Sequence, residues 1–131
     1  LDLNELGDEA AAAVASSLAV NRTLTFLTLA SNGVGAEVHA AHEGEAFLGD
    51  EGAKALAASL EVNQTLRTLW LTANEIGDEG GLALASSLEH NAALTALDLR
   101  CNHVGDAAKE ALNRVVDGRR RRGGAPLEIR V

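Results

Sequence analysis

NQTLRTLWLTANEIGDEGGLALASSL runs from Asn63 to Leu88, and its two halves follow different periods. In the first half Leu69 and Leu71 flank Trp70, the alternation of a strand that buries one face and shows the other. In the second half Leu84 and Leu88 fall four apart behind Gly77-Asp78-Glu79-Gly80. That is the spacing of one apolar helix stripe behind an acidic first turn. Neither element can cover its own apolar side, so the segment needs neighbours of similar build.

The neighbours are present. NRTLTFLTLASN (21–32) and NAALTALDLRCN (91–102) repeat the pattern N-x-x-L-x-x-L-x-L-x-x-N of NQTLRTLWLTAN (63–74). Asn63 follows Asn21 by 42 residues and Asn91 follows Asn63 by 28. The second element recurs as ELGDEAAAAVASSL (5–18), FLGDEGAKALAASL (47–60) and, more loosely, HVGDAAKEALNRVV (103–116). The period is therefore 28 residues. It predicts strands near 1–3, 26–30, 68–72, 96–100 and 127–130, and helices near 8–19, 50–61, 78–89 and 106–117. Leu27/Leu29, Leu69/Leu71 and Leu97/Leu99 should point inward, and Thr28, Trp70 and Asp98 outward. Asp8, Asp50, Asp78 and Asp106 suit helix N-caps. Asn21, Asn63 and Asn91 suit left-handed helix C-caps. The amides of Asn32, Asn74 and Asn102 should satisfy buried backbone groups from repeat to repeat, as a ladder.

The run L-x-x-L-x-L-x-x-N-x-[IV]-G-D-E-G resembles the ribonuclease-inhibitor-type leucine-rich repeat. That type is also found in the sensor regions of nucleotide-binding-domain immune receptors and in the GTPase-activating protein of Ran. The resemblance covers nearly the whole chain. It implies an α/β fold: a right-handed solenoid with a curved parallel sheet inside, helices outside, and about four repeats plus a terminal strand. It also implies protein–protein recognition as the usual task.

Composition narrows the function further. The 131 residues suffice for one domain, and their apolar share is almost all Ala, Leu and Val, with two Phe, one Trp and no Tyr or Met. A net charge of −8 and so few aromatics argue against general nucleic-acid binding. A lone cysteine, Cys101, excludes an internal disulfide framework and suits a reducing, intracellular compartment, the cytoplasm first. It reads as a small packed side chain rather than a nucleophile, since no histidine is placed to activate it. The apolar runs are broken by Ser or charge, so none spans a membrane. No cofactor motif and no enzymatic constellation is present.

The departures from the repeat carry the individuality. Asn4 follows Leu3 too closely for the ladder spacing, and nothing before Leu1 covers that edge, which leads us to expect a larger chain or a partner there. Residues 117–126, DGRRRRGGAP, read as an Arg/Gly-rich loop two residues longer than the period allows, with Gly124 at the site where other repeats place a leucine. Its Arg119, Arg120, Arg121 and Arg122 are candidates for a secondary contact with an acidic protein or nucleic acid. Fourteen extra residues interrupt the second repeat at 36–49, with Val34-Gly35 and Leu48-Gly49 both able to play the Ile76-Gly77 role. Within this insert His39, His42 and Glu43 share one helical face, a weak metal constellation that matches no zinc signature. We read the insert as a partner-facing rim and expect no metal.

Trp70 is the most informative single residue. Alternation aims it out of the concave face, with Phe26 toward the same side and Thr28, Thr72, Asp98 and Arg100 around it. Exposed aromatics at the centre of a curved sheet are the usual chemistry of interface hot spots. The sequence thus reads as a non-enzymatic recognition or scaffolding module for another protein. Alternatives are a structural subunit of a larger assembly, buried at the N-terminal edge, or a small-GTPase regulator by family analogy.

Overall fold

Each half of the repeat folds as its period demands. A computed structural model describes Leu1, Asp2, Asn4, residues 6–31 and residues 48–131. Along the chain, α1 (Asp8–Val20), β1 (Phe26–Thr28), α2 (Asp50–Val62), β2 (Thr68–Trp70), α3 (Asp78–His90), β3 (Ala96–Asp98), α4 (Asp106–Arg121) and β4 (Glu128–Arg130) alternate. The strands form one parallel sheet in the order β1-β2-β3-β4. Leu27, Leu69, Leu97 and Ile129 face one another in register across it. Each helix packs on the next, and the core lies between helices and sheet. Leu56, Leu60, Leu66, Leu69, Leu71, Leu84, Leu88 and Leu94 are all fully buried there. Each contributes roughly 1.5–3 kcal/mol. Pairing continues past the strands, with Leu71 N–H donating to the Asp98 carbonyl and Leu99 N–H to that of Arg130.

Three polar ladders lock repeat to repeat. In the first, Asn74 Nδ2 donates to the Leu29 and Leu71 carbonyls, and Asn102 Nδ2 to those of Leu71 and Leu99. This is the ladder the strand-end asparagines foretold; Asn32 lies outside the described residues. The residue before each rung, Ser31, Ala73 or Cys101, takes a left-handed φ of 56, 56 or 58° to swing the amide inward.

The second ladder corrects an expectation. Asn21, Asn63 and Asn91 end their helices with extended backbone, at φ of −71, −85 and −83°, and not in the left-handed conformation. The chain must leave the helix directly toward the next strand, and the side chain does the capping instead. Asn91 Oδ1 accepts from the N–H groups of Ala93 and Leu94, while its Nδ2 donates to the Leu60 and Asn63 carbonyls of the preceding repeat. Asn63 does the same toward Leu18 and Asn21.

The third ladder is also a correction. The helix N-caps are Gly7, Gly49, Gly77 and Gly105, and the aspartates stand one residue inside. Their carboxylates cap the following helix rather than their own. Asp8 Oδ1 accepts from Gly49 and Gly52 N–H at 2.7 and 2.8 Å, and Asp50 Oδ1 from Gly77 and Gly80 at 2.8 Å each. Asp78 reaches Gly105 at 2.9 Å. Such close approach requires glycine: a Cβ on Gly80 would stand 2.8 Å from both Ala53 Cβ and Asp50 Oδ1. Leu48-Gly49 therefore takes the Ile76-Gly77 role after the insert, with Leu48 fully buried.

The ends differ from the expected strands. Leu1 and Asp2 are not in a strand, and Leu3 lies outside the described residues. Asp2 nonetheless sits beside β1, where its Oδ1 accepts from Thr28 Oγ1 at 2.5 Å and Ala30 N–H at 2.9 Å. At the other end α4 runs to Arg121, 16 residues against 13 in each other helix, so most of the supposed 117–126 loop start is helical. The added turn shifts the last strand, and Ile129 rather than Leu127 pairs with Leu97.

Candidate functional site

The concave face is built by the outward positions of four short strands. Register places Phe26, Thr68, Ala96 and Glu128 in one row and Thr28, Trp70, Asp98 and Arg130 in the next. The leucines flanking these positions anchor the backbone, which fixes where the outward side chains stand. Phe26 and Trp70 remain 45% and 44% exposed although Leu27, Leu69 and Leu71 beside them are buried. Their rings meet edge to face, with centroids 5.0 Å apart and planes at 75°. Such a pair contributes about 0.5–1.5 kcal/mol beyond area burial and pre-orders both rings.

Asp98 behaves differently from the open acid expected at this position. It is buried, and Arg100 closes a fork on it, Nε at 3.0 and 3.1 Å from the two oxygens and NH2 at 2.6 Å from Oδ2. Burial pushes its carboxyl upward, but hydrogen bonds from Arg100 and Thr72 prevail and hold it below the ordinary carboxylate value. Asp98 thus serves as the counter-ion that aims Arg100, whose half-exposed guanidinium is what a partner meets. Thr28 is likewise engaged, by Asp2. At the far side Arg130 pairs with Glu128 at 2.7 Å. Thr68, Ala96, Glu128 and Arg130 were missed as face residues, although Glu128 and Arg130 flank Ile129 as Thr68 and Trp70 flank Leu69. Between the aromatic pair and the Glu128–Arg130 pair the face dips into a hollow of about 210 Å³.

The arginine cluster divides. Arg119 is buried, 28 residues after Asn91, and takes the next rung of the Asn ladder. It donates to the Leu88 carbonyl at 3.3 Å, the Leu94 carbonyl at 2.5 Å and the Asn91 carbonyl. Burial and the nearby Arg122 lower its pKa; a guanidinium stays charged even so. Arg119 is therefore structural, while Arg120, Arg121 and Arg122 are exposed. Cys101 is also exposed rather than packed. His39, His42 and Glu43 lie outside the described residues, as does the insert up to Phe47. Among the described residues no group of three or more His, Cys, Asp or Glu could hold a metal ion. Among them, too, no helix is long and apolar enough to cross a membrane.

Comparison with known proteins agrees with this geometry. A family model described as Leucine Rich repeat matches residues 20–37, 62–85 and 90–112. Those segments contain the three N-x-x-L-x-x-L-x-L-x-x-N units. A search of curated proteins finds no match. Among solved structures the chain is similar to leiomodin-1 actin-binding site 2, with 20% identity and a TM-score of 0.61 over 94% of this chain and 83% of that one. At that identity the likeness speaks for the fold. Repeat pattern, sheet register and both comparisons converge: the chain is a leucine-rich-repeat protein with an α/β solenoid fold.

Proposed function

We propose that the protein is a non-enzymatic recognition module whose concave sheet face binds another protein. The observation behind this reading is the exposed Phe26–Trp70 pair, held in one geometry on a sheet whose other large apolar side chains are buried. Trp is enriched at interface hot spots, and rigid aromatics cost little entropy to place. Arg100 and Thr72 supply polar surroundings, Thr28 and Asp98 hold the frame, and the exposed Arg120, Arg121 and Arg122 offer a secondary contact to an acidic surface. The insert at 36–49 would add a rim. The 28-residue period with one helix per repeat supports the ribonuclease-inhibitor type. A solved neighbour in fold that is named for actin binding fits a protein as the class of partner. The test is quantitative capture of cellular proteins by the wild type, Trp70→Ala and an insert-deleted variant. A partner of the concave face should lose at least about 2 kcal/mol of affinity with Trp70→Ala; equal capture by all three would remove the face from consideration.

A second reading has its own observation. An apolar groove of about 360 Å³ opens at the N-terminal edge, lined among others by Leu1, Val14, Leu18, Leu24 and Leu27. Leu24 is 39% exposed there, whereas its counterparts Leu66 and Leu94 are fully buried under the preceding repeat. This supports a subunit of a larger assembly. Elution as a monomer with a single cooperative melt would refute an obligate subunit.

A further inference from the structure

We propose that the hollow on the concave face takes one uncharged, apolar side chain from a partner protein segment. The proposal rests on the concave-face reading and adds the chemistry of what is recognised. The hollow has Phe26 and Trp70 on one side, Ala96 and Thr68 as its floor, and Glu128 with Arg130 on the other. Its volume, about 210 Å³, exceeds the roughly 150 Å³ that accommodates a benzene ring. Small residues at Thr68 and Ala96 make the dip, because larger ones in that row would fill it.

Charge decides what enters. Every ionised group at this face already has a partner: Arg100 on Asp98 at 2.6 Å, and Arg130 on Glu128 at 2.7 Å. An incoming cation would meet two guanidiniums, and an incoming anion two carboxylates. Either must break a standing pair or lose water without compensation. An apolar side chain meets no such cost and covers the half-exposed aromatic pair. The chain's net charge of −8 acts at longer range, where it steers approach and is screened by salt. Contact in the hollow should therefore be insensitive to salt.

The experiment selects a displayed library of random twelve-residue peptides against the intact protein. The enriched peptide is then measured against wild type, Ala96→Leu, Ala96→Val and Trp70→Ala. We expect one recurrent Leu, Ile, Met or Phe, whose replacement by Ala weakens binding at least about tenfold. Ala96→Leu should fill the hollow and weaken binding by a similar factor, with Ala96→Val intermediate and a urea midpoint confirming that each variant folds. Raising salt from 0.05 to 0.5 M should change Kd by less than about threefold. A recurrent Lys, Arg, Asp or Glu with steep salt dependence would overturn the proposal, as would a library with no enrichment. Weakening by Trp70→Ala with both Ala96 variants binding like wild type would remove the hollow yet keep the concave face. Indifference to all three variants would remove both.

Discussion

Toward the helices, the strands repeat one another: Leu27, Leu69 and Leu97 share a row and are buried, and Ile129 extends it partly buried. Away from the helices, the same strands carry Thr28, Trp70, Asp98 and Arg130, four chemistries in four adjacent positions. Stacking demands identical inward shapes, because each repeat covers its neighbour. The outward side meets no such demand, so its residues are free to serve a partner. Regularity marks what holds the solenoid together, and irregularity marks where it works.

Substitutions can break that contrast. The largest loss should come from the inward row: Leu69→Ala, at a position with no exposure, should cost about 3–5 kcal/mol in chemical denaturation. Next comes the Asn ladder. Asn91→Ala strands two N–H groups and two carbonyls, and should cost about 3 kcal/mol. Arg119→Ala tests whether the arginine is a rung of that ladder. It frees three carbonyls and should cost about 2–3 kcal/mol, with Arg119→Asn recovering part of it. A loss no greater than that of Arg120→Ala would return Arg119 to the surface cluster.

A smaller effect belongs to Asp98. Its carboxyl is held below the ordinary value of 3.8, so its contribution is complete above that value and is lost as pH falls through the lower, folded one. The stability difference between wild type and Asp98→Asn should be flat above about pH 5 and narrow toward pH 2. A difference that grew on acidification would contradict the Arg100 fork.

How much of this was legible follows from the same contrast. Leu-x-Leu and the strand-end Asn recur at one spacing, so four strands, four helices and one ladder could be read directly. The role of Arg119 could not, since an arginine in an Arg-rich run looks like surface until its distance of 28 residues from Asn91 is noticed. Nor could the aspartates, because a carboxylate beside a helix start can cap its own helix or the next. The glycines at 52 and 80 were the available sign, for they open the space into which Asp8 and Asp50 reach. On the concave face Trp70 and Phe26 were evident, but the closure of Asp98 by Arg100 depends on rotamers that alternation does not determine. Glu128 and Arg130 were overlooked because the longer α4 shifted the terminal register.

The division between the two faces is tested most directly by the urea unfolding free energy of the double variant Phe26→Ala/Trp70→Ala. If these rings are spared for recognition, their removal costs less than about 2 kcal/mol, the edge-to-face contact plus partial burial. A loss of about 4 kcal/mol or more, typical of aromatics cut from a core, would make them part of the fold and contradict the account.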